Sequence, residues 1–295
     1  MANIVESYNY IKELQQNGVI HIKNAYTMEQ MTIMKDIYIK TWNEIKCDFP
    51  TDWITRTYKQ NCKKYDDFMG MDLYNNKKFA YYKNTEILDM DKNRYDFVYN
   101  LDSIKLQIEL PKIIVDIMDS ILGCEYDYYY GGLPIEQVNQ YEYSVDSISA
   151  DSNNKEFNGF WHRDAYSLYN NEAIDLGLPP FYYTMLIPLQ YTDKNNGGTE
   201  FILGSHNILL SEMQIDNYKK LNTWIDNIDN KQRFAPTLDI GDICIFHGYT
   251  IHRGLFNNIS KNRDMLYIVC KKNWYNDEPI SNYNEKYNSI NGIKK

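Results

Sequence analysis

The chain has 295 residues, of which 43% are hydrophobic and 24% are charged, so it can bury a sizeable core. Its formal net charge is −9 and no more than two Lys or Arg residues are adjacent, which argues against nucleic-acid backbones and anionic membrane surfaces as main partners. The first residues lack the pattern of a signal peptide, and no apolar run approaches about 18 residues. We therefore expect one soluble, cytoplasmic domain.

The cysteines support the same expectation about the compartment. They are odd in number, widely separated and contain no Cys-x-x-Cys pair: Cys47, Cys62, Cys124, Cys244 and Cys270. This pattern is typical of reduced thiols in a cytosol-like environment.

The N-terminus predicts a helix, a short strand and a second helix. Residues 7–17 carry apolar side chains at helical spacing, and the glycine that follows them provides a stop. Residues 19–23 alternate in the manner of a strand. Thr27 and Gln30 form a capping box for a helix that runs to about Lys46.

Residues 47–100 follow no regular period and are interpreted as a lid, a substrate wall or a plain surface insertion. Their basic residues are the one local excess of positive charge: Arg56, Lys59, Lys63, Lys64, Lys77 and Lys78. A solvated face is the favoured interpretation, and contact with an anionic substrate group is the alternative.

The middle of the chain turns from helix to strand. Residues 111–123 predict an amphipathic helix against the outside of a sheet, since a proline begins the run and a glycine ends it. Two strand-like runs, 127–130 and 135–143, are broken by a pair of glycines. Gln137 and Asn139 share one face of the second run, which would suit a wet cavity that binds a dicarboxylate. The other face carries Val138, Gln140 and Glu142, so the pattern does not decide which face looks inward.

The remainder predicts further strands separated by turns. Ser205 is expected to cap a following helix, and residues 207–232 are interpreted as an insertion. The strand-like runs are 181–189, 201–203, 238–246 and 266–270.

A possible metal site begins at His162 and Asp164. On extended backbone, residues two apart face the same side, so both side chains could reach one metal ion. The third ligand must come from far along the chain, where His247 and His252 compete. Two histidines and one carboxylate with open positions make the facial triad of non-haem Fe(II) oxygenases.

The order and spacing of several motifs resemble the phytanoyl-CoA dioxygenase-like family of 2-oxoglutarate oxygenases. These motifs are His162-x-Asp164, the Asn-Gly-Gly-Thr-Glu-Phe-Ile-Leu-Gly-Ser-His run at 196–206, and the Gly-Asp-Ile-Cys-Ile-Phe-His run at 241–247 that leads to His252 and Arg263. The resemblance implies a mainly β fold with flanking helices, built on a double-stranded β-helix (a jelly-roll, cupin-like core).

On this basis we expect the jelly-roll core at residues 126–272. Residues 1–125 would form a mostly helical N-terminal part with a possible lid, and 273–295 a polar tail. His21 and His206 are interpreted as structural residues rather than ligands.

The resemblance also implies the cofactors. Fe(II) would be bound by His162, Asp164 and His252, and Arg263 would pair with the far carboxylate of 2-oxoglutarate, with O2 as the second co-substrate. His252 is preferred to His247 because Arg263 follows it by eleven residues. Some relatives have a Ser that helps to hold 2-oxoglutarate two residues after the distal histidine, where this chain has a glycine. Candidates for the missing hydrogen bond are Gln137, Asn139 and Thr199.

The expected reaction is hydroxylation of a small molecule, or a related desaturation or ring closure. Halogenating relatives have a small residue at the carboxylate position, which Asp164 occupies here. The alternatives are a protein or peptide hydroxylase of the same chemistry, a non-catalytic jelly-roll binding module, and a chain in which these are ordinary core residues.

Overall fold

The computed structural model describes residues 2–47, 54–55, 78–82, 85–89, 94–98, 109–135, 159, 161–165, 168, 172–209, 218–259 and 261–275. The α-helices in these ranges are α1 (Ala2–Asn17), α2 (Met28–Cys47), α3 (Lys112–Leu122), α4 (Glu172–Leu176) and α5 (Tyr218–Asn227). Short 3-10 helices occupy Ser205–Asn207 and Asn230–Gln232. None of the helices in the described ranges is both long and apolar enough to cross a membrane.

The strands are short and, in every pairing found between them, antiparallel. They are β1 (Val19–Ile22), β2 (Ile54–Thr55), β3 (Lys78–Tyr82), β4 (Thr85–Asp89), β5 (Tyr95–Val98), β6 (Tyr126–Gly132), β7 (Tyr182–Pro188), β8 (Thr199–Ile202), β9 (Arg233–Phe234), β10 (Ile243–His247), β11 (His252–Gly254) and β12 (Met265–Lys272). The large sheet has the order β1-β10-β7-β12-β6-β5-β4-β3-β2, and the small sheet has the order β11-β8-β9.

The two sheets face each other across a shared apolar layer. Phe201 of the small sheet packs on Phe246 of the large sheet, with ring centroids 5.0 Å apart. Met265, Tyr267 and Val269 of β12 belong to the same buried cluster. Two antiparallel sheets around one core form the jelly roll that the sequence predicts, and this prediction is confirmed.

The other face of the large sheet is covered by the N-terminal helices. Leu266 and Ile268 of β12 lie in a second cluster with Leu14 of α1, Met34 of α2 and Ile117 of α3. Because both faces of β12 and β7 are covered, these strands read as continuous apolar runs rather than as alternating ones.

The predicted N-terminal elements are confirmed. Helix α1 ends at Asn17, and Gly18 adopts a left-handed φ of 75°. At the start of α2 the Thr27 amide donates to Gln30 Oε1 (2.9 Å) and the Gln30 amide donates to Thr27 Oγ1 (3.2 Å). The capping box therefore satisfies two amides that the helix itself leaves without partners.

The expectation that residues 1–125 are mostly helical missed four strands. Strands β2 to β5 extend the large sheet outward from β6. Their short length, and the turns between them, left no readable period in the sequence. Most of the segment 47–100, which we expected to be a possible lid, lies outside the described residues. So do the basic residues Arg56, Lys59, Lys63, Lys64 and Lys77 and the side chain of Lys78.

The expected break at Gly131-Gly132 was wrong, because β6 continues through both residues. A Cβ atom on Gly131 would collide with the ring of Tyr267, and one on Gly132 would collide with the ring of Phe97. The glycines make room for aromatic side chains of neighbouring strands, which a pattern along one strand does not show.

Replacing Thr27 with alanine should lower the free energy of unfolding by about 1 kcal/mol, since the Gln30 amide loses its acceptor. The matched control is Thr32→Ala, because Thr32 lies on the exposed face of the same helix and its hydroxyl donates to the Met28 carbonyl (2.8 Å). That change should cost less than about 0.5 kcal/mol. Urea denaturation measures both, and equal losses would show that the box does not stabilise α2.

Candidate active site

The segment 161–165 is held against the small sheet by backbone hydrogen bonds. The His162 amide donates to the His252 carbonyl (2.9 Å), and the His252 amide donates back to the His162 carbonyl (3.0 Å). Two residues later the Asp164 amide donates to the Gly248 carbonyl (2.9 Å). Residues separated by ninety positions are thereby placed directly opposite each other.

Three potential metal-ligating side chains meet at this point. Asp164 Oδ1 lies 3.3 Å from His252 Nε2 and 3.6 Å from His162 Nε2. Within the described ranges this is the one group of three His, Cys, Asp or Glu residues whose ligand atoms all lie within 4.8 Å of one another. Metal–ligand bonds of about 2.1 Å place neighbouring ligand atoms of one ion roughly 3 Å apart, so these separations fit a single ion.

Hydrogen bonds orient two of the ligands. His252 Nδ1 lies 3.0 Å from the Thr250 carbonyl, which can only accept, so the ring's proton sits on Nδ1 and Nε2 is left to face the centre. Thr184 of β7 donates to Asp164 Oδ2 (2.6 Å), which leaves Oδ1 for the metal. The ring of His252 is also packed by Phe246 (centroids 4.6 Å apart) and by Phe201 (5.8 Å).

The carboxylate of Asp164 is kept ionised. Burial by itself raises its pKa, but the imidazoles of His252 and His162 and the hydroxyl of Thr184 outweigh burial and lower the pKa to about 2. A negatively charged oxygen ligand between two imidazoles suits Fe(II).

The residues between and beside the ligands point to the other side, as expected for extended backbone. Arg163 Nη2 donates to the carbonyls of Ser205 (3.1 Å) and Ile208 (3.0 Å). The Trp161 ring lies 4.3 Å from the guanidinium of Arg253. Both contacts hold the segment 161–165 on the face opposite to the metal-ligating side chains.

His247 lies away from the three ligands. Its Nδ1 accepts a hydrogen bond from the Tyr249 amide (3.0 Å), and its ring packs on Tyr183. Burial, followed by the charges of His206 and Arg163, lowers the pKa of His247 to about 3. Together with His206 it lines a separate cleft of about 180 Å³. The geometry thus favours His252 as the distal ligand.

The other histidines have structural contacts. His21 Nε2 lies 2.8 Å from the Asp242 carboxylate, and His206 Nε2 lies 3.1 Å from the Gln15 carbonyl.

The expectation that Ser205 caps a helix was wrong: its hydroxyl donates to the Ile202 carbonyl (2.6 Å) and accepts from the Ile251 amide (2.8 Å). Ser205 ties the small sheet to the turn before the distal ligand.

Arg263 enters the core just before β12. It is 4% exposed, and its Nη1 donates to the Leu133 carbonyl (3.2 Å). Burial, followed by the charge of Arg94, lowers the pKa of Arg263 to about 10, so it stays charged at neutral pH.

The candidate neighbours of 2-oxoglutarate are placed in part. Thr199 of β8 lies directly opposite Gly254 of β11. Gly254 is the residue two positions after the distal ligand His252. Gln137 and Asn139 lie outside the described residues.

Two residues near the site were not singled out from the sequence. Thr184 stands out only weakly in the sequence, as a hydroxyl side chain inside an otherwise apolar strand. Arg94 donates to the Gly254 and Leu255 carbonyls. Nothing in the sequence distinguishes it, because residues 47–100 follow no regular period.

A jelly roll with an inward-facing His-Asp-His group is the architecture of a non-haem iron oxygenase. The family model of phytanoyl-CoA dioxygenase (PhyH) matches residues 14–265, and the chain belongs to this family. It is therefore a 2-oxoglutarate-dependent non-haem iron enzyme, whose cofactors are Fe(II), 2-oxoglutarate and O2. No curated protein sequence matches the chain significantly.

Solved structures show the same fold at low sequence identity. The non-haem α-ketoglutarate-dependent epimerase SnoN from nogalamycin biosynthesis has a TM-score of 0.51 and 10% identity, over 91% of this chain and 84% of that one. AviO1 from Streptomyces viridochromogenes Tue57 has a TM-score of 0.50 and 10% identity, over 92% and 96%. EvdMO1 has a TM-score of 0.53 and 11% identity, over 90% of this chain and 50% of that one.

The ligand assignment can be tested with two histidine variants. His252→Ala should weaken Fe(II) binding more than about 100-fold, since it removes a ligand outright. His247→Ala should leave Fe(II) affinity unchanged, because its imidazole is hydrogen-bonded elsewhere. Anaerobic calorimetric titration with Fe(II), on variants whose circular dichroism matches the parent protein, measures both. Loss of binding in His247→Ala with retention in His252→Ala would reverse the assignment.

Proposed function

We propose that the protein oxidises an unactivated C–H bond of a small-molecule substrate, with hydroxylation as the outcome, while 2-oxoglutarate and O2 are converted to succinate and CO2. Family membership establishes the general chemistry of Fe(II) and 2-oxoglutarate, and the substrate class and outcome are our proposal. The observation that carries it is the meeting of His162, Asp164 and His252 around one point inside the jelly roll.

The donor set fits Fe(II). His162, Asp164 and His252 would hold the ion from one side and leave three positions for 2-oxoglutarate and O2. Bound there, the metal supplies the activation of O2 that C–H oxidation requires. The protein's own contribution is to present two imidazoles and one ionised carboxylate. The His252 ring is oriented by the Thr250 carbonyl, and the Asp164 carboxylate by the Thr184 hydroxyl.

Arg263 is suited to anchor the far carboxylate of 2-oxoglutarate. Its guanidinium is buried, and no carboxylate in the described part of the chain forms an ion pair with it. The carboxylate of the adjacent Asp264 accepts a hydrogen bond from the Tyr38 hydroxyl (3.0 Å), and its charge also acts on Arg263. A planar, permanently charged guanidinium can bind a carboxylate through two parallel hydrogen bonds.

Asp164 favours hydroxylation over halogenation. In halogenating relatives a small residue at this position opens a coordination place for chloride. Here the carboxylate faces both imidazoles and is held by Thr184. SnoN, an epimerase of nogalamycin biosynthesis, is a precedent in this fold for chemistry on a small molecule.

The proposal predicts that iron-loaded protein converts 2-oxoglutarate to succinate in the presence of O2. Arg263→Lys should raise the KM for 2-oxoglutarate more than about 10-fold, because an ammonium cannot reproduce the two-point contact. The matched control is Arg233→Lys, since Arg233 forms its ion pairs with Asp226 of α5 and Glu200 of β8. Succinate is quantified by mass spectrometry.

Two results would contradict the proposal. Folded, iron-loaded protein that forms no succinate with any of a broad set of small molecules would favour a non-catalytic binding module. An Arg263→Lys variant with an unchanged KM would remove Arg263 from the 2-oxoglutarate site.

A further inference from the structure

A line of aromatic side chains runs from the metal site to the protein surface. It begins at Tyr182 in β7, two residues before Thr184, and side chains two apart on a strand project to the same face. Thr184 donates to the carboxylate of Asp164, so Tyr182 lies on the face at which that carboxylate is held. Tyr182 also belongs to the apolar cluster between the two sheets and is 5% exposed.

The Tyr182 ring lies directly behind the backbone that carries Asp164. A Cβ atom built on Gly248 would lie 2.8 Å from Tyr182 Cδ1 and 2.7 Å from Ala165 Cβ. The Gly248 carbonyl accepts from the amides of Asp164 (2.9 Å) and Ala165 (3.0 Å). A single glycine therefore separates the phenol ring from the ligand segment, and a larger residue there would push the two apart.

Two further rings continue the line outward. The Tyr275 ring packs edge-on against the Tyr182 ring, with centroids 5.6 Å apart. The Trp274 ring lies 6.2 Å from the Tyr275 ring, again edge-on. Tyr275 is 2% exposed, whereas Trp274 is 60% exposed. The three rings thus connect the surroundings of the metal ligands with a side chain that solvent reaches.

The chemistry of these rings differs from that of other rings beside the ligands. Phenols and indoles lose an electron readily, whereas Phe201 and Phe246, which pack on the distal ligand, have no hydroxyl and resist oxidation. Trp161 precedes the first ligand, but the Arg253 guanidinium lies 4.3 Å from the centre of its ring. A cation over a ring holds the ring's electrons more tightly. Of these four rings, that of Tyr182 gives up an electron most easily.

A hydrogen bond assists electron loss from Tyr182. Its hydroxyl lies 3.3 Å from the hydroxyl of Tyr129, in the buried interior. A phenol that loses an electron becomes a strong acid, and a neighbouring hydroxyl can accept a hydrogen bond from it. The proton can therefore shift toward Tyr129 and return without leaving the core.

We propose that Tyr182, Tyr275 and Trp274 form an electron relay that protects the enzyme when O2 is activated in the absence of substrate. This inference rests on the proposed function. Conversion of 2-oxoglutarate to succinate and CO2 uses one oxygen atom of O2 and leaves the other at the metal site as a two-electron oxidant. Without substrate, this oxidant attacks the protein around it unless electrons arrive from elsewhere.

The relay supplies these electrons from the surface. An electron passes from Tyr182 to the metal site and is replaced from Tyr275, and then from Trp274. The oxidised indole releases its N–H proton to water and becomes a neutral radical, which a reductant of the ascorbate class restores by giving one electron and one proton. Two such transfers, with two protons from solvent, convert the remaining oxygen atom to water.

The path can be tested on the metal-free protein with a ruthenium polypyridyl photo-oxidant in solution. Because Tyr182 is buried, the photo-oxidant reaches it only through an exposed residue. Brief illumination and peptide mass spectrometry should find oxidation at Trp274, Tyr275 and Tyr182 in the parent protein. In Trp274→Phe, oxidation of Tyr182 should fall several-fold. The matched control is Trp224→Phe, since Trp224 packs on a separate cluster beside the small sheet, and this change should leave Tyr182 oxidation unaltered.

The use of the path can be tested in turnover without substrate. Iron-loaded protein receives 2-oxoglutarate, O2 and ascorbate, and succinate is counted until the protein is inactive. Tyr182→Phe keeps the ring, so the Kd values of Fe(II) and 2-oxoglutarate should be unchanged. It should nevertheless inactivate after several-fold fewer turnovers, with oxidised residues beside the ligands rather than at Trp274. Tyr183→Phe is the matched control, because Tyr183 is the next residue of β7 and faces the outer cluster.

The outcomes are distinguishable. Equal oxidation of Tyr182 with and without Trp274 would overturn the path. Equal numbers of turnovers and the same oxidised residues in Tyr182→Phe and Tyr183→Phe would overturn the protective role. A parent protein that forms no succinate would overturn the proposed function and the protective role with it, whereas the photo-oxidation result still decides whether the path exists. If Tyr182→Phe does not fold, Trp274→Phe, at an exposed position, should show the same loss of turnovers and decides in its place.

Discussion

The site depends on one backbone contact: the pair of hydrogen bonds that His162 and His252 exchange. This bridge joins a short segment to the small sheet and sets the two imidazole rings 4.2 Å apart. Extended backbone then brings the Asp164 side chain to the same side, where the hydroxyl of Thr184 in the large sheet donates a hydrogen bond to Asp164 Oδ2. The metal site is therefore assembled from both sheets, and it requires that they pack face to face.

Charge inside the jelly roll is arranged around ligands that the protein does not itself supply. At one place a carboxylate lies between two imidazoles, which suits a divalent cation. At another, the guanidinium of Arg263 is buried in the core, which suits an anion. 2-Oxoglutarate has a keto acid group for the metal and a second carboxylate for Arg263. A single extended dicarboxylate would thus connect the two places.

Much of this could be predicted from the sequence, where the signal is local or follows a known order of motifs. The capping box at Thr27, the glycine that ends α1 and the period-two pair His162 and Asp164 are local. The preference for His252 over His247 came from its spacing to Arg263 and not from the strand pattern. Contacts between distant strands could not be predicted in this way. The aromatic rings that require Gly131 and Gly132 and the hydroxyl of Thr184 both depend on pairing register, which single-strand periodicity does not contain.

The most direct test of the account is the visible absorption spectrum of the protein under strictly anaerobic conditions as Fe(II) and then 2-oxoglutarate are added. If His162, Asp164 and His252 hold the ion and leave adjacent positions open, chelation of the keto acid should produce a metal-to-ligand charge-transfer band that saturates at one equivalent of each. The band should be absent when His162 is replaced by alanine. A correctly folded parent protein that shows no band, or an alanine variant that keeps it, would contradict the central claim.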